Sequence, residues 1–138
     1  MGWKFWKKPE ERKPEEETPL QKACRELGRE DLYKLLSSIL PEDPRALDKE
    51  LRAVEEGSKK PEESFLFRGG GFASSQLAIV RLYRKDYEKS RHYFQEALNN
   101  QYKPDNINLI LKNFDDAIRI AERSWEERGV YKKPEKKS

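Results

Sequence analysis

The chain holds one cysteine, Cys24, one histidine, His92, and one methionine at its first position. A lone cysteine excludes an intramolecular disulfide and a metal site built from several thiolates, and it fits a reducing, cytoplasmic setting. A lone histidine leaves a multi-histidine metal centre, or a triad that needs histidine as its base, with one candidate member. Valine is scarce and alternating apolar and polar residues are hard to find, which argues against a sheet. No run of about 18 apolar residues is present to cross a bilayer, and Lys4, Lys7 and Lys8 have no apolar stretch behind them that would make a secretory signal. A soluble chain is expected. Neither GxxxxGK[ST] nor a GxGxxG framed by a strand and a helix occurs, so no nucleotide-binding signature is present.

Charge is plentiful. Charged residues make up 40% of the chain against 35% hydrophobic, a balance that suits helices with one apolar stripe and a solvated outer face. At 138 residues the chain is long enough for one domain with tails. The net charge of +3 comes from 29 basic and 26 acidic residues, and Lys132, Lys133, Lys136 and Lys137, opposed by Glu135, account for the whole surplus. The remainder sums to zero, so nucleic-acid binding would have to rest on a local basic stripe.

Residues 1–17 divide into an aromatic, basic start and a run of Pro, Glu and Lys that reads as a flexible linker. Trp3, Phe5 and Trp6 among lysines can seat in a partner's groove, lie at a membrane interface, or pack back on the chain's own core. Trp6 stands where a myristoylation signal has Ser or Thr. A helical domain is expected over residues 18–128. Thr18, Pro19 and Gln21 supply an N-cap, a first-turn proline and the second half of a capping box, with Leu20, Ala23, Cys24 and Leu27 on the buried face and Gly28 at the end. Leu32, Leu35, Leu36, Ile39 and Leu40 mark a second helix ended by Pro41. Asp43 caps a third, with Leu47, Leu51 and Val54 on one face and Gly57 beyond it.

The most organised stretch runs from Phe72 to Leu98. Leu77, Ala78, Ile79, Val80 and Leu82 make a first arm apolar on nearly every side, Arg84-Lys85-Asp86 interrupts it, and Tyr87, Ser90, Phe94, Ala97 and Leu98 lie on one face of a second arm. Leu77-Ala78, Asp86-Tyr87-Glu88-Lys89-Ser90, Phe94, Ala97 and Pro104 give this stretch a pattern that resembles a tetratricopeptide repeat. The resemblance implies an antiparallel helical hairpin over residues 72–104 that binds a protein segment along Leu77, Arg81 and Arg84. Arg81 stands where the family has Tyr, Ser90 where it has Ala, and Pro104 falls late. Phe114-Asp115-Asp116-Ala117 echoes Tyr87-Glu88-Lys89-Ser90, at an offset shorter than the family's period of about 34 residues. One repeat-like hairpin within an all-α bundle of about five to six helices is the expected architecture.

Gly69-Gly70-Gly71 ahead of the hairpin serves as a hinge or close-packing point, or presents N–H groups to an anion. Beyond a turn at residues 102–106, Asp105 or Asn106 is expected to cap a single last helix. Ile107, Leu111, Phe114, Ile118, Ala121 and Trp125 form its heptad-like seam, which closes the bundle or pairs two copies as a homodimer through residues 107–125. Gly129 ends that helix, and residues 129–138 read as a basic tail. Arg84, Lys85, Lys89 and Arg91 form a basic strip near His92, read either as a solvated face or as a contact for an acidic peptide or RNA. Paired acids such as Glu55-Glu56 and Asp115-Asp116 sit in no apolar setting that would raise a pKa.

These observations nominate no catalytic, cofactor or metal residues. The expected role is a non-catalytic protein-protein interaction module, an adaptor or assembly subunit, working through the hairpin or the aromatic arm. The alternative is an RNA- or DNA-binding accessory protein using the strip over residues 81–91 and the C-terminal lysines.

Overall fold

The computed structural model describes residues 17–131, and every regular element among them is helical. The α-helices are α1 (Pro19–Glu26), α2 (Tyr33–Ile39), α3 (Arg45–Glu55), α4 (Gly70–Tyr83), α5 (Tyr87–Asn99), α6 (Pro104–Lys112) and α7 (Phe114–Glu127). Short 3₁₀ turns at Glu30–Leu32, Pro61–Glu63 and Phe65–Phe67 fill the connections. The expected all-α bundle is present. No helix among the described residues is long and apolar enough to cross a membrane.

Helix α4 is the centre of the molecule. Ala73, Ser75, Leu77, Ala78, Ile79, Val80 and Leu82 are all buried, so apolar atoms face inward around most of its circumference. Helix α5 covers one side, and the two run antiparallel. Gly71 at the start of α4 meets Tyr102 just past the end of α5, and midway the Ser90 hydroxyl donates to the Ala78 carbonyl at 2.8 Å. A small side chain at Ser90 lets the backbones approach, and its buried hydroxyl has a partner. Helix α3 and the Phe65–Phe67 turn pack on another side of α4, α6 packs on α5, and α1 lies along α7. Leu36, Leu51, Leu66, Phe94, Ile107, Ile120 and Trp125 join these contacts into one core.

Several local expectations hold. Thr18 and Gln21 form a reciprocal capping box at 3.1 and 2.9 Å. Gly28, Gly57 and Gly129 adopt positive φ at the ends of α1, α3 and α7. In each case the following N–H reaches back one turn, as from Arg29 to Cys24, Ser58 to Ala53 and Val130 to Trp125. Helices α4 and α5 end the same way without glycine, at Lys85 with φ 64° and Gln101 with φ 60°. Asp86 N–H then bonds Arg81 O, and Tyr102 N–H bonds Ala97 O.

Other expectations need correction. The last helix is two helices, α6 and α7, divided at Asn113. Its side-chain amide donates to the Leu109 carbonyl at 2.9 Å, an amide competing with the helical backbone, and Arg29 bonds its oxygen at 3.3 Å. Across the two helices Ile107, Phe114, Ala121 and Trp125 are buried in the chain's own core and Leu111 and Ile118 pack against it half-buried, so this seam closes the bundle. At the start of α6 neither Asp105 nor Asn106 is the cap; Pro104 is the first helical residue and Lys103 precedes it in a left-handed conformation. Pro44, rather than Asp43, occupies the N-cap of α3, while the Asp43 carboxylate still accepts from Arg45 N–H at 2.9 Å. The packed chain runs beyond the expected boundary at 128: Val130 is buried, and Tyr131 packs against the core.

Gly71 has no side chain because none fits. A Cβ there would lie 2.3 Å from Tyr102 Cβ and 3.3 Å from its Cα, so close packing is the use this glycine serves. Gly71→Ala is expected to cost about 1–3 kcal/mol through overpacking, read as a lower Tm. An unchanged Tm would mean that α4 and Tyr102 separate freely. Gln101 is exposed and strained by its positive φ. Gln101→Gly should therefore stabilise the fold by roughly 0.5–1 kcal/mol in chemical denaturation, and a loss of stability would contradict that account.

Candidate interaction site at the hairpin turn

The three residues between α4 and α5 tie four elements together. Arg84, the residue after α4, directs its guanidinium to α3: Nε lies 2.6 Å from Asp48 Oδ1 and Nη1 lies 2.8 Å from Glu55 Oε2. Arg52 holds the other Asp48 oxygen at 2.6 Å, so this buried carboxylate is met by two arginines. Lys85 turns the other way, 3.2 Å from Glu122 on α7, with its ammonium 4.6 Å above the Tyr131 ring. Glu122 also accepts from the Tyr87 hydroxyl. Asp86 caps α5 by accepting from Lys89 N–H. Arg81 brings Nη1 to 4.0 Å from Asp86, while its Nε is buried without a hydrogen-bond partner.

Titration follows this geometry. The bond from Arg84 holds the Glu55 carboxyl below the usual range, and Glu55 in turn raises the Arg84 guanidinium. Burial, then the bond to Glu122, pushes the Tyr87 hydroxyl up to about 12. Burial raises Tyr83 and Tyr131 as well.

Between α3 and this turn lies an open groove of about 1010 Å³. Arg45, Lys49, Arg52 and Glu56 line one wall, Tyr83 and Arg84 the other, and Val130 and Ala53 add apolar surface. Arg45 is held by Asp43 at 2.8 Å. Lys49 is exposed, and no carboxylate among the described residues lies within ion-pair distance of it. Sequence reasoning named Arg84 and missed the α3 wall. Arg45, Lys49 and Arg52 are spaced four and three apart, opposite Leu47 and Leu51, and that spacing was a readable signal of one cationic face.

The residues expected to form the site do not form one surface. Leu77 is 7% exposed and belongs to the core, so it offers nothing to a partner. Arg84 faces α3, Lys85 faces α7, and Arg91 lies over the Phe114 ring at 4.6 Å, on yet another side. Lys89 is exposed, as is His92, whose nearest acidic group is Glu96 at 3.9 Å. The continuous basic strip over residues 81–91 is therefore dispersed, because the segment leaves α4, crosses the turn at 84–86 and enters α5, so its side chains point at different neighbours. Trp3, Phe5, Trp6 and Lys132 to Lys137 lie outside the described residues.

Chemistry elsewhere is sparse. Among the described residues no cluster of three or more His, Cys, Asp and Glu side chains is placed to hold a metal ion. Cys24 is fully buried, and burial pushes its thiol up to about 11, far from a reactive thiolate. Comparison with protein-family models, curated proteins and solved structures finds no match.

Removing Arg84 leaves Asp48 buried with one cation instead of two. Arg84→Met is expected to destabilise the fold by about 1–3 kcal/mol. Because Glu55 titrates lower when folded than its ordinary value of 4.5, its stabilising contribution is present above that pH and is lost as pH falls through the folded value. Denaturation midpoints measured from pH 6 down to 3 should therefore fall less steeply in the variant than in the parent, and parallel profiles would refute the pairing.

Proposed function

We propose that the chain is a non-catalytic protein-protein interaction module, an adaptor or assembly subunit, whose tetratricopeptide-like hairpin holds a docking groove between its turn and α3. The observation that carries this reading is the groove itself, an open surface with charged walls and an apolar strip, set on rigid helices. Small residues at the hairpin crossing, Ala78 and Ser90, support the repeat-like reading of α4 and α5. The buried, lone cysteine fits residence in the cytoplasm. The nucleic-acid alternative loses its main support with the dispersal of the basic strip, and the described residues carry one more acidic than basic side chain.

A photo-crosslinking residue at position 49 of the full chain, exposed to native cell extract, tests the reading. Capture of a discrete protein that is blocked by excess unlabelled chain, but not by excess Lys49→Glu chain, is the expected result. Equal blocking by the two would remove the groove from recognition. Capture abolished only by deleting residues 1–17 would move recognition to the arm.

A further inference from the structure

A second, smaller cavity, of about 90 Å³, lies where α1, α2 and α7 meet. Leu20 and Leu40 line it together with Trp125, whose indole N–H already bonds the Pro41 carbonyl at 3.2 Å, so these three side chains offer carbon surface. Ser124, which is buried, and Arg128 complete the wall on the α7 side, and residues four apart lie on one face of a helix. The Arg128 Nε is buried and has no hydrogen-bond partner among the described residues. Its Nη1 comes to 3.6 Å from Glu42 Oε1, but the Glu42 side chain is 77% exposed, and so long a contact at a solvated carboxylate is weak. A half-buried guanidinium thus borders an apolar cavity with one N–H unmet, and a buried donor left unmet is costly.

We propose that this cavity binds a small carboxylate bearing a short aliphatic chain, with Arg128 holding the carboxylate and Leu20, Leu40 and Trp125 enclosing the chain. The site is separate from the groove and does not rest on the reading of the chain as an interaction module. A water's share of liquid volume is about 30 Å³, so the cavity has room for about three waters, or for one molecule the size of acetate or propionate. Three waters would satisfy Arg128 but leave their own hydrogen bonds unmade against Leu20, Leu40 and Trp125. A carboxylate accepts a charge-assisted bond from Nε–H, the Ser124 hydroxyl can donate to it as well, and an alkyl end matches the apolar wall. Inorganic phosphate fits less well, because its remaining oxygens would lie against that wall and Glu42 would repel its second charge.

The test is proton–nitrogen correlation NMR on the full chain, read at the Arg128 Nε–H and the Trp125 indole N–H while sodium propionate is added at constant ionic strength. A saturable shift of both signals is expected, with none from propionamide, which has the same shape and no charge. Arg128→Met, followed at the Trp125 signal, should weaken propionate binding by about tenfold or more. Ser124→Leu fills the cavity from α7 and should abolish binding, with far-UV circular dichroism checking that each variant keeps its helices. N-acetylalanylalanine, a stand-in for a peptide C-terminus, separates the two sources of such a carboxylate: tighter binding than propionate assigns the site to a chain terminus, weaker binding to a free acid. The unsubstituted chain decides even where a variant does not fold, since no saturable shift with propionate, or an equal shift with propionamide, overturns the site. Undiminished binding by folded Arg128→Met removes Arg128 from it, and saturation by inorganic phosphate at a lower concentration than propionate overturns the carboxylate assignment.

Discussion

Burial of α4 on nearly all sides is the constraint from which the rest of the structure follows. A helix with Leu77, Ala78, Ile79 and Val80 in succession has no polar face to turn to water, so other elements must enclose it. Helix α5 supplies one wall through Ser90, Phe94 and Ala97, and α3 supplies another through its Leu47 and Leu51 face. The enclosing helices are short and amphipathic. Each would be marginal alone, and each draws its order from the area it buries against the shared core.

The polar ends of α4 follow from the same fact. A helix this apolar can carry charge only where it leaves the core, and at its C-terminal end Arg81, Arg84 and Lys85 emerge together. Their cations suit a helix C-terminus, where the carbonyl dipoles favour positive charge. Arg84 and Lys85 then reach in opposite directions, to Asp48 and Glu122, and so pin α3 and α7 to the hairpin turn. Most of the charge is consumed in holding helices together. Across the turn from them, Lys49 on α3 is exposed with no carboxylate among the described residues at ion-pair distance.

The parts of this arrangement legible in the sequence are those written in local chemistry. The capping box at Thr18, the glycine ends at Gly28, Gly57 and Gly129, and the apolar spacing of α4 and α5 each have a cause within a few residues of the position they define. The parts that were not legible depend on distant partners. Asn113 lies in an unbroken apolar periodicity, and what ends α6 there is its own amide bonding backward together with Arg29 arriving from the far side of α1. Lys85 and Gln101 end helices in a conformation that glycine usually signals; the charged triplet at 84–86 and the turn at 102–106 located these ends, but nothing marked their left-handed geometry. Similarly, Val130 and Tyr131 follow a helix-ending glycine and precede a lysine run, which reads as tail; only the facing Tyr83 and Trp125 make them part of the fold.

That last pairing explains why the groove sits at this end of the hairpin. Tyr83 is the final residue of α4, with one side of its ring on Tyr131 and its hydroxyl on the Val130 carbonyl. Its position therefore depends on α4 and on the chain end at once, while Arg84 beside it depends on α3. The groove's two walls are tied by an ion pair to the buried Asp48 and its rim by stacked rings, so the fold itself orders these side chains. At the opposite end of the hairpin Phe67 and Phe72 are exposed and Tyr102 is half-buried; Phe72 and Tyr102 meet edge-on and Lys103 lies 5.6 Å over the Tyr102 ring, but among the described residues no stacked pair or side-chain hydrogen bond ties these rings. Aromatic area alone is common on protein surfaces. The difference between the two ends is fixation rather than hydrophobicity.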